Sequence, residues 1–130
     1  VYLSRESIHL ISVYKDLLAY KEYLHLGANI PIVEVLGPFF YQFQNLKKQR
    51  RIKSRILMSE KIRGRDILKK VVGSYKFLPP EFDGPINTLI YGNKIAIIVW
   101  SSLIAFVLES KEACAVYRKY FKVLWKIAKK

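Results

Sequence analysis

The most apolar part of the chain runs from Asn87 to Glu109, and its interruptions indicate strands rather than a membrane span. Gly92 and Asn93, which tolerate a positive φ, separate two β-branched runs and predict a tight hairpin turn. The run over 95–100 is apolar throughout, which predicts a strand covered on both faces. It is far shorter than the ~20 residues that a spanning helix needs. We therefore expect three core strands, the third over 103–108, and no membrane partner.

Elsewhere the apolar positions alternate between helical and strand spacing. Helices are predicted over 4–20, from Pro38 onward, over 63–72 and after Ser110, with Ser4 and Ser110 as N-caps and an irregular loop around Pro31. Short strands are predicted at 1–3, 23–26, 56–59 and 75–78. Interleaved helices and strands, with an antiparallel section late in the chain, predict a layered α/β sandwich.

The excess of basic residues bears on which partners the protein could bind. The chain has 130 residues, enough for a single domain, and its 23 Lys and Arg against 10 Asp and Glu give a net charge of +13. This excess indicates either an anionic partner or a lysine-rich solvated surface, and the composition leaves both open. The densest run is 47–55. We expect an anion or nucleic-acid patch there, made of solvent-facing Lys47, Lys48, Arg50, Arg51 and Lys53.

Catalytic and metal-ligating signals are sparse. His9 and His25 have no neighbouring cluster of cysteines or carboxylates, so we expect no metal site and no cofactor. The sequence contains neither a G-x-S-x-G elbow nor a phosphate-binding glycine loop. A single cysteine, Cys114, excludes an internal disulfide and fits a reducing, cytoplasmic setting. Nothing in these patterns requires an enzyme.

Several segments resemble a known family. GNKIAIIVW, followed by AFVLESKEACAVYRKYFKVLWKIAKK, resembles the end of archaeal TrmB-like transcription regulators, and EYLHLGANIPIVEVLGPFFYQF and IKSRILMSE are similar to earlier parts of the same domain. The resemblance covers essentially the whole chain and is weakest over 61–83. It implies a phospholipase-D-like fold, with a mixed sheet and flanking helices, in one domain over 1–130.

The same resemblance implies a larger assembly. TrmB-like regulators join such a domain to an N-terminal winged helix that binds DNA. That unit has no counterpart in this sequence, which also lacks an initiating Met, so we expect a piece of a longer cytoplasmic protein that reaches DNA through a separate winged helix.

The phospholipase D pattern implies that the chemistry is lost. Active members carry H-x-K, an Asp and then G-S-x-N. In that alignment Ile86 and Thr88 replace the His and Lys, Asn93 replaces the Asp, and Ser101 alone is retained. A phosphodiesterase would lack its nucleophile and its main cation, so we favour a non-catalytic domain over a residual enzyme. The vacated position predicts a pocket at Thr88, Asn93 and Ser101 for a small neutral ligand such as a sugar, unless Ile86 and Leu103 pack it shut.

The expected function is therefore effector sensing or dimerisation in a TrmB-like transcription regulator. The chain has 9 Tyr, 7 Phe and 2 Trp, more than a small core readily encloses, which predicts a homodimer interface that includes Tyr117 and Tyr120. The alternative is a nucleic-acid-binding module that uses the basic segment 47–55.

Overall fold

A six-stranded sheet lies at the centre of the protein, which a computed structural model describes over residues 5–29 and 31–130, with side chains over 10–29 and 32–130. The α-helices are α1 (Arg5–Leu17), α2 (Pro31–Leu36), α3 (Pro38–Gln49) and α4 (Lys111–Ile127). The strands are β1 (Glu22–Ala28), β2 (Lys53–Ser59), β3 (Ser74–Leu78), β4 (Ile86–Tyr91), β5 (Lys94–Val99) and β6 (Ile104–Glu109). Short 3₁₀ turns lie at Glu60–Ile62, Asp66–Lys70 and Pro80–Phe82. The strand predicted at 1–3 and the cap predicted at Ser4 lie outside the described residues.

The sheet is mixed, with the strand order β3-β2-β1-β4-β5-β6. The three strands β1, β2 and β3 are parallel, and the other three continue the sheet in antiparallel pairs. The predicted hairpin is confirmed, because Gly92 and Asn93 form the turn between β4 and β5. Gly92 has φ +56, and a Cβ there would lie 2.6 Å from the ring of Tyr20, so a larger residue would have to displace that ring.

Helices cover both faces of the sheet, as the predicted α/β sandwich requires. Side chains alternate along β1, so that Tyr23 and His25 point toward α1–α3 while Leu24 and Leu26 pack toward α4. The helix α4 buries Cys114 and Phe121 on the sheet, and the Ser110 hydroxyl accepts a 3.1 Å hydrogen bond from the Ala113 amide, which confirms the predicted N-cap.

Two predicted elements were wrong. The loop around Pro31 is the short helix α2, since proline suits the first helical turn. The helix predicted over 63–72 is replaced by a single 3₁₀ turn, Asp66–Lys70, within otherwise irregular chain. Gly64 has φ +77 and Gly73 has φ +122, and the segment between these two breaks is too short for a stable isolated helix.

The strand β6 also differs from the prediction, because it is not a core strand. It is the last strand of the sheet, and among the described strands it pairs only with β5. Phe106 is 60% exposed and Leu108 is 52% exposed. Apolar composition predicted the strand correctly but could not give its position in the sheet.

Candidate functional site

The three residues of the predicted pocket are not brought together. Thr88 lies in β4, paired with Leu26 and Ile97, and is half-buried. Asn93 lies in the turn before β5, and Ser101 lies beyond the other end of that strand, so roughly 20 Å of extended chain separates them. The structure therefore does not bring Asn93 and Ser101 together, although the alignment with phospholipase D assigned both to one site.

The basic segment is only partly a solvent-facing patch. Lys48, Arg50, Arg51 and Lys53 are exposed as predicted, but Lys47 is 0% exposed. Lys47 is buried because it lies one helical turn after Phe43, on the buried face of α3.

Lys47 is held beneath α3 by polar and aromatic contacts. Its Nζ donates a 2.6 Å hydrogen bond to the Val72 carbonyl oxygen and a 3.0 Å hydrogen bond to Ser54 Oγ. The same nitrogen lies 4.9 Å from the centre of the Tyr23 ring, a cation–π distance. Burial lowers the pKa of Lys47 to about 7, because the charged form loses its water shell.

A cavity of about 390 Å³ lies between the sheet and the helices α2 and α3. Tyr23 and Phe43, whose rings contact Lys47, are among its lining residues. Its walls are mostly apolar and aromatic, and they include Ile32, Leu36, Phe40, Phe43, Ile56 and Met58. Glu34, Arg65 and Asp66 are exposed lining residues and mark its mouth. This cavity could not be predicted from the sequence, because an aromatic face of a helix predicts core packing as readily as a ligand pocket.

Two polar atoms in the lining are buried without a partner. Tyr14 is 1% exposed and His25 is 3% exposed, and neither Tyr14 Oη nor His25 Nε2 has a hydrogen-bond partner among the described residues. The pKa of His25 is lowered to about 3, chiefly by burial and also by the charge of Lys47, while a hydrogen bond with Asn87 opposes the shift. His25 is therefore a neutral imidazole near pH 7.

The predicted dimer residues lie on different parts of α4. Tyr117 packs partly against the sheet, whereas Tyr120 is 58% exposed, and their rings meet edge to face at 5.9 Å. Tyr120 belongs to a larger exposed apolar set on α4 and β6. We call the part nearest β6 the β6–α4 surface, and its members are Ile104, Phe106, Leu108, Val116 and Tyr120. The other two exposed residues, Val123 and Ile127, lie farther along α4, toward the β3 edge.

Helix and sheet contribute neighbouring parts of this surface. The β5–β6 register puts Ile104, Phe106 and Leu108 on the α4 side of the sheet, because Leu108 pairs with Ile95, which packs against α4. On α4, Arg118 donates to the Gly92 carbonyl oxygen and faces the hairpin turn. Tyr120 projects roughly 160° around the helix from Arg118, so it faces the opposite end of the hairpin, where the sheet is uncovered.

No group of three or more His, Cys, Asp and Glu side chains that could hold a metal ion occurs within the described residues. No helix in that part of the chain is long and apolar enough to cross a membrane.

Comparison with known proteins gives a structural relative. No protein-family model and no curated protein matches the chain. Its structure is similar to that of TrmBL2, an archaeal chromatin protein whose structure shows a novel mode of DNA binding, with a TM-score of 0.67 and 13% identity over 96% of this chain. The chain spans about half of that protein, 51% of its length. At this identity the similarity concerns the fold, and it supports a TrmB-like fold. The expected mixed sheet with flanking helices is confirmed, and it has six strands.

Proposed function

We propose that this chain is a non-catalytic domain that pairs with a second copy of itself within a DNA-associated, TrmB-like protein of the cytoplasm. The observation that carries the proposal is the β6–α4 surface, an apolar area exposed on one side of the sheet. Single exposed apolar residues are ordinary, but three on one face of an edge strand, with others on the helix that follows it, are typical of an interaction site. The DNA-binding relative supports the setting, and DNA would be bound through a separate winged helix.

The two edges of the sheet differ in a way that favours β6 as the contact. At the β3 edge, Phe77 and Lys129 exchange backbone hydrogen bonds of 2.6 and 2.9 Å, so the end of the chain covers part of that edge. At the other edge, no described strand pairs with the outer side of β6. An open, apolar edge strand is a template for pairing with another chain.

We infer that the partner is a second copy of this chain, because a two-fold axis would bring the same apolar surface of both copies into contact. Antiparallel pairing of β6 with its copy would extend the sheet and bring the Phe106 side chains of the two copies together. The neighbouring flanks of α4 would then cover the exposed apolar side chains. Two chains of charge +13 repel one another, so we expect salt to strengthen the association by screening.

Sedimentation equilibrium on the full chain tests the proposal. We expect a dimer at micromolar concentration, and Phe106→Glu should weaken association about 100-fold or more, since it buries a charge at the centre of the contact. Tyr41→Glu is the matched control, because Tyr41 is exposed on α3 in the other layer. A chain that remains monomeric at high micromolar concentration, or equal effects of both variants, would overturn the proposal.

Effector sensing is the second candidate function, and the cavity under α2 and α3 favours it. The cavity is lined by α1, α2, α3 and the sheet, so an occupant would bind several elements at once. A ligand that binds only the folded, closed arrangement would stabilise it by mass action. The cavity and the β6–α4 surface are joined by one sheet, since β1, which lines the cavity, and β6 belong to it.

A further inference from the structure

We propose that the cavity beneath α2 and α3 binds a small, largely apolar alcohol, aromatic or alicyclic, whose hydroxyl group meets Tyr14 and His25. The inference rests on the effector-sensing part of the proposed function and adds the chemical class of the ligand. It follows from the volume of the cavity, the nature of its walls and the two polar atoms that have no partner.

The volume fixes the size of the occupant. A cavity of roughly 150 Å³ lined by apolar side chains holds one benzene molecule. At about 390 Å³, this cavity has room for a molecule of roughly 15 non-hydrogen atoms, allowing the same space per atom. A one-, two- or three-ring compound lies in that range, and it could enter at the mouth beside Arg65 and Asp66.

The walls determine the polarity of most of the ligand. Phe40, Phe43, Ile56 and Met58 offer contact to rings and methylene groups, and their side chains carry no hydrogen-bond donor and only the weak acceptor sulfur of Met58. A sugar would place several hydroxyl groups against such walls, and each buried hydroxyl without a partner costs free energy. The cavity therefore fits a single polar group better than many.

The two unpartnered atoms determine that polar group. The Tyr14 hydroxyl can donate or accept, whereas the neutral imidazole of His25 donates at one nitrogen and accepts at the other. A ligand hydroxyl matches either tautomer of His25, because it also donates and accepts. A carboxylate matches less well, since its burial would be opposed by the desolvation of a full charge.

Tyr14→Phe isolates the hydroxyl contact. Because it removes only a hydroxyl that has no partner among the described residues, the fold should tolerate the change. Tyr41→Phe is the matched control, since Tyr41 is exposed and does not line the cavity. Val33→Phe fills space at the α2 wall and tests location, with circular dichroism to show that the variant is folded.

The probes are 2-naphthol and naphthalene, which differ by one hydroxyl group. By calorimetry or amide chemical shifts on the full chain, we expect both to bind, with 2-naphthol tighter by roughly three- to tenfold. Tyr14→Phe should remove that difference and Tyr41→Phe should keep it, while folded Val33→Phe should weaken both ligands.

Three results would overturn the inference: no binding of either probe up to its solubility limit, equal behaviour of the two Tyr→Phe variants, or unchanged binding to folded Val33→Phe. Sedimentation of the same samples keeps the proposals separate. Phe106→Glu should abolish pairing and retain the naphthol preference, whereas Tyr14→Phe should do the reverse.

Discussion

The Nζ atom of Lys47 lies 2.6 Å from the carbonyl oxygen of Val72, which places a lysine ammonium inside the α3 layer. The Gln44 side chain accepts from the Val72 amide at 2.9 Å, so α3 binds both polar groups of that peptide segment. In the absence of a helix over 63–72, these two contacts attach the irregular segment to α3. Lys47 therefore has a structural role, in contrast to the exposed cations that follow it.

Replacing Lys47 by Met should change how stability depends on pH. Folding lowers the pKa of Lys47 from 10.5 to about 7, so between these values the unfolded chain binds more protons. The free energy of unfolding should then rise with pH by up to about 1.4 kcal/mol per unit from this group. Lys47→Met should lose this rise, because methionine does not titrate. The Val72 oxygen would keep a hydrogen-bond donor, since Ser54 Oγ lies 3.4 Å from it and can donate to it.

Urea unfolding at several pH values between about 7 and 9.5 measures the effect, a window bounded by the two pKa values of the lysine. Measured relative to the parent chain, the free energy of unfolding of Lys47→Met should be highest near pH 7 and should fall toward pH 9.5. Lys48→Met is the control, because Lys48 is exposed. If the parent and Lys47→Met profiles run parallel, the buried ammonium does not contribute as described.

Gly27→Ala should destabilise the fold by about 2–4 kcal/mol. Gly27 has φ +96 at the irregular point of the β1–β2 register, and a Cβ there would lie 2.7 Å from the Ile86 carbonyl oxygen. Chemical denaturation measures the loss. Gly84→Ala is the control, because nothing lies within 4 Å of its Cβ position, and it should change stability by less than about 0.5 kcal/mol. Similar values for the two variants would show that neither φ nor the close approach matters.

Local features of the sequence predicted the local structure well. The Gly92–Asn93 turn and the Ser110 cap depend on a few adjacent residues, and both are present. The confirmed α/β class follows from the alternation of helical and strand spacing.

Features that depend on sheet order or helix packing could not be predicted. Phe106 is exposed because β6 occupies an edge, which periodicity does not encode. Lys47 was predicted to face solvent because lysine side chains are usually exposed. Its burial results from the way α3 packs on Tyr23 and Ser54. The cavity could not be predicted for the same reason, since Tyr14 and His25 come to line one cavity only after α1 and β1 pack together.

Purified chain should not hydrolyse bis(p-nitrophenyl) phosphate above the buffer rate. Ile86 and Thr88 offer neither a nucleophilic imidazole nor a cation, and Ser101 is far along the chain from Asn93. His25 is the one histidine whose side chain is described, and its burial in an apolar cavity keeps it from attacking a charged phosphodiester. Hydrolysis that purifies with the chain and disappears in His25→Gln would contradict this expectation.

Binding of duplex DNA by this domain alone should be weak and should depend on net charge rather than on the segment 47–55. The burial of Lys47 leaves that segment with fewer available cations, and exposed lysines also line α4 on the other face of the sheet. Non-specific attraction arises from phosphate neutralisation, and it should weaken steeply between about 50 and 200 mM salt. Because exposed cations lie both in the segment 47–55 and along α4, we expect neither to dominate.

Two triple variants, each of which removes three positive charges, distinguish binding by net charge from binding by the segment 47–55. The first replaces Lys48, Arg51 and Lys53 by Gln, and the second replaces Lys119, Lys122 and Lys126 by Gln. Fluorescence anisotropy with a labelled duplex should show that both lose affinity to a similar extent. If the segment 47–55 were a dedicated interface, the first variant alone would lose binding, and its log–log salt slope would fall by roughly 0.9 for each phosphate contact removed. That result would contradict our expectation and favour the nucleic-acid-binding alternative, in which Lys47 holds α3 in place beneath a patch formed by its neighbours.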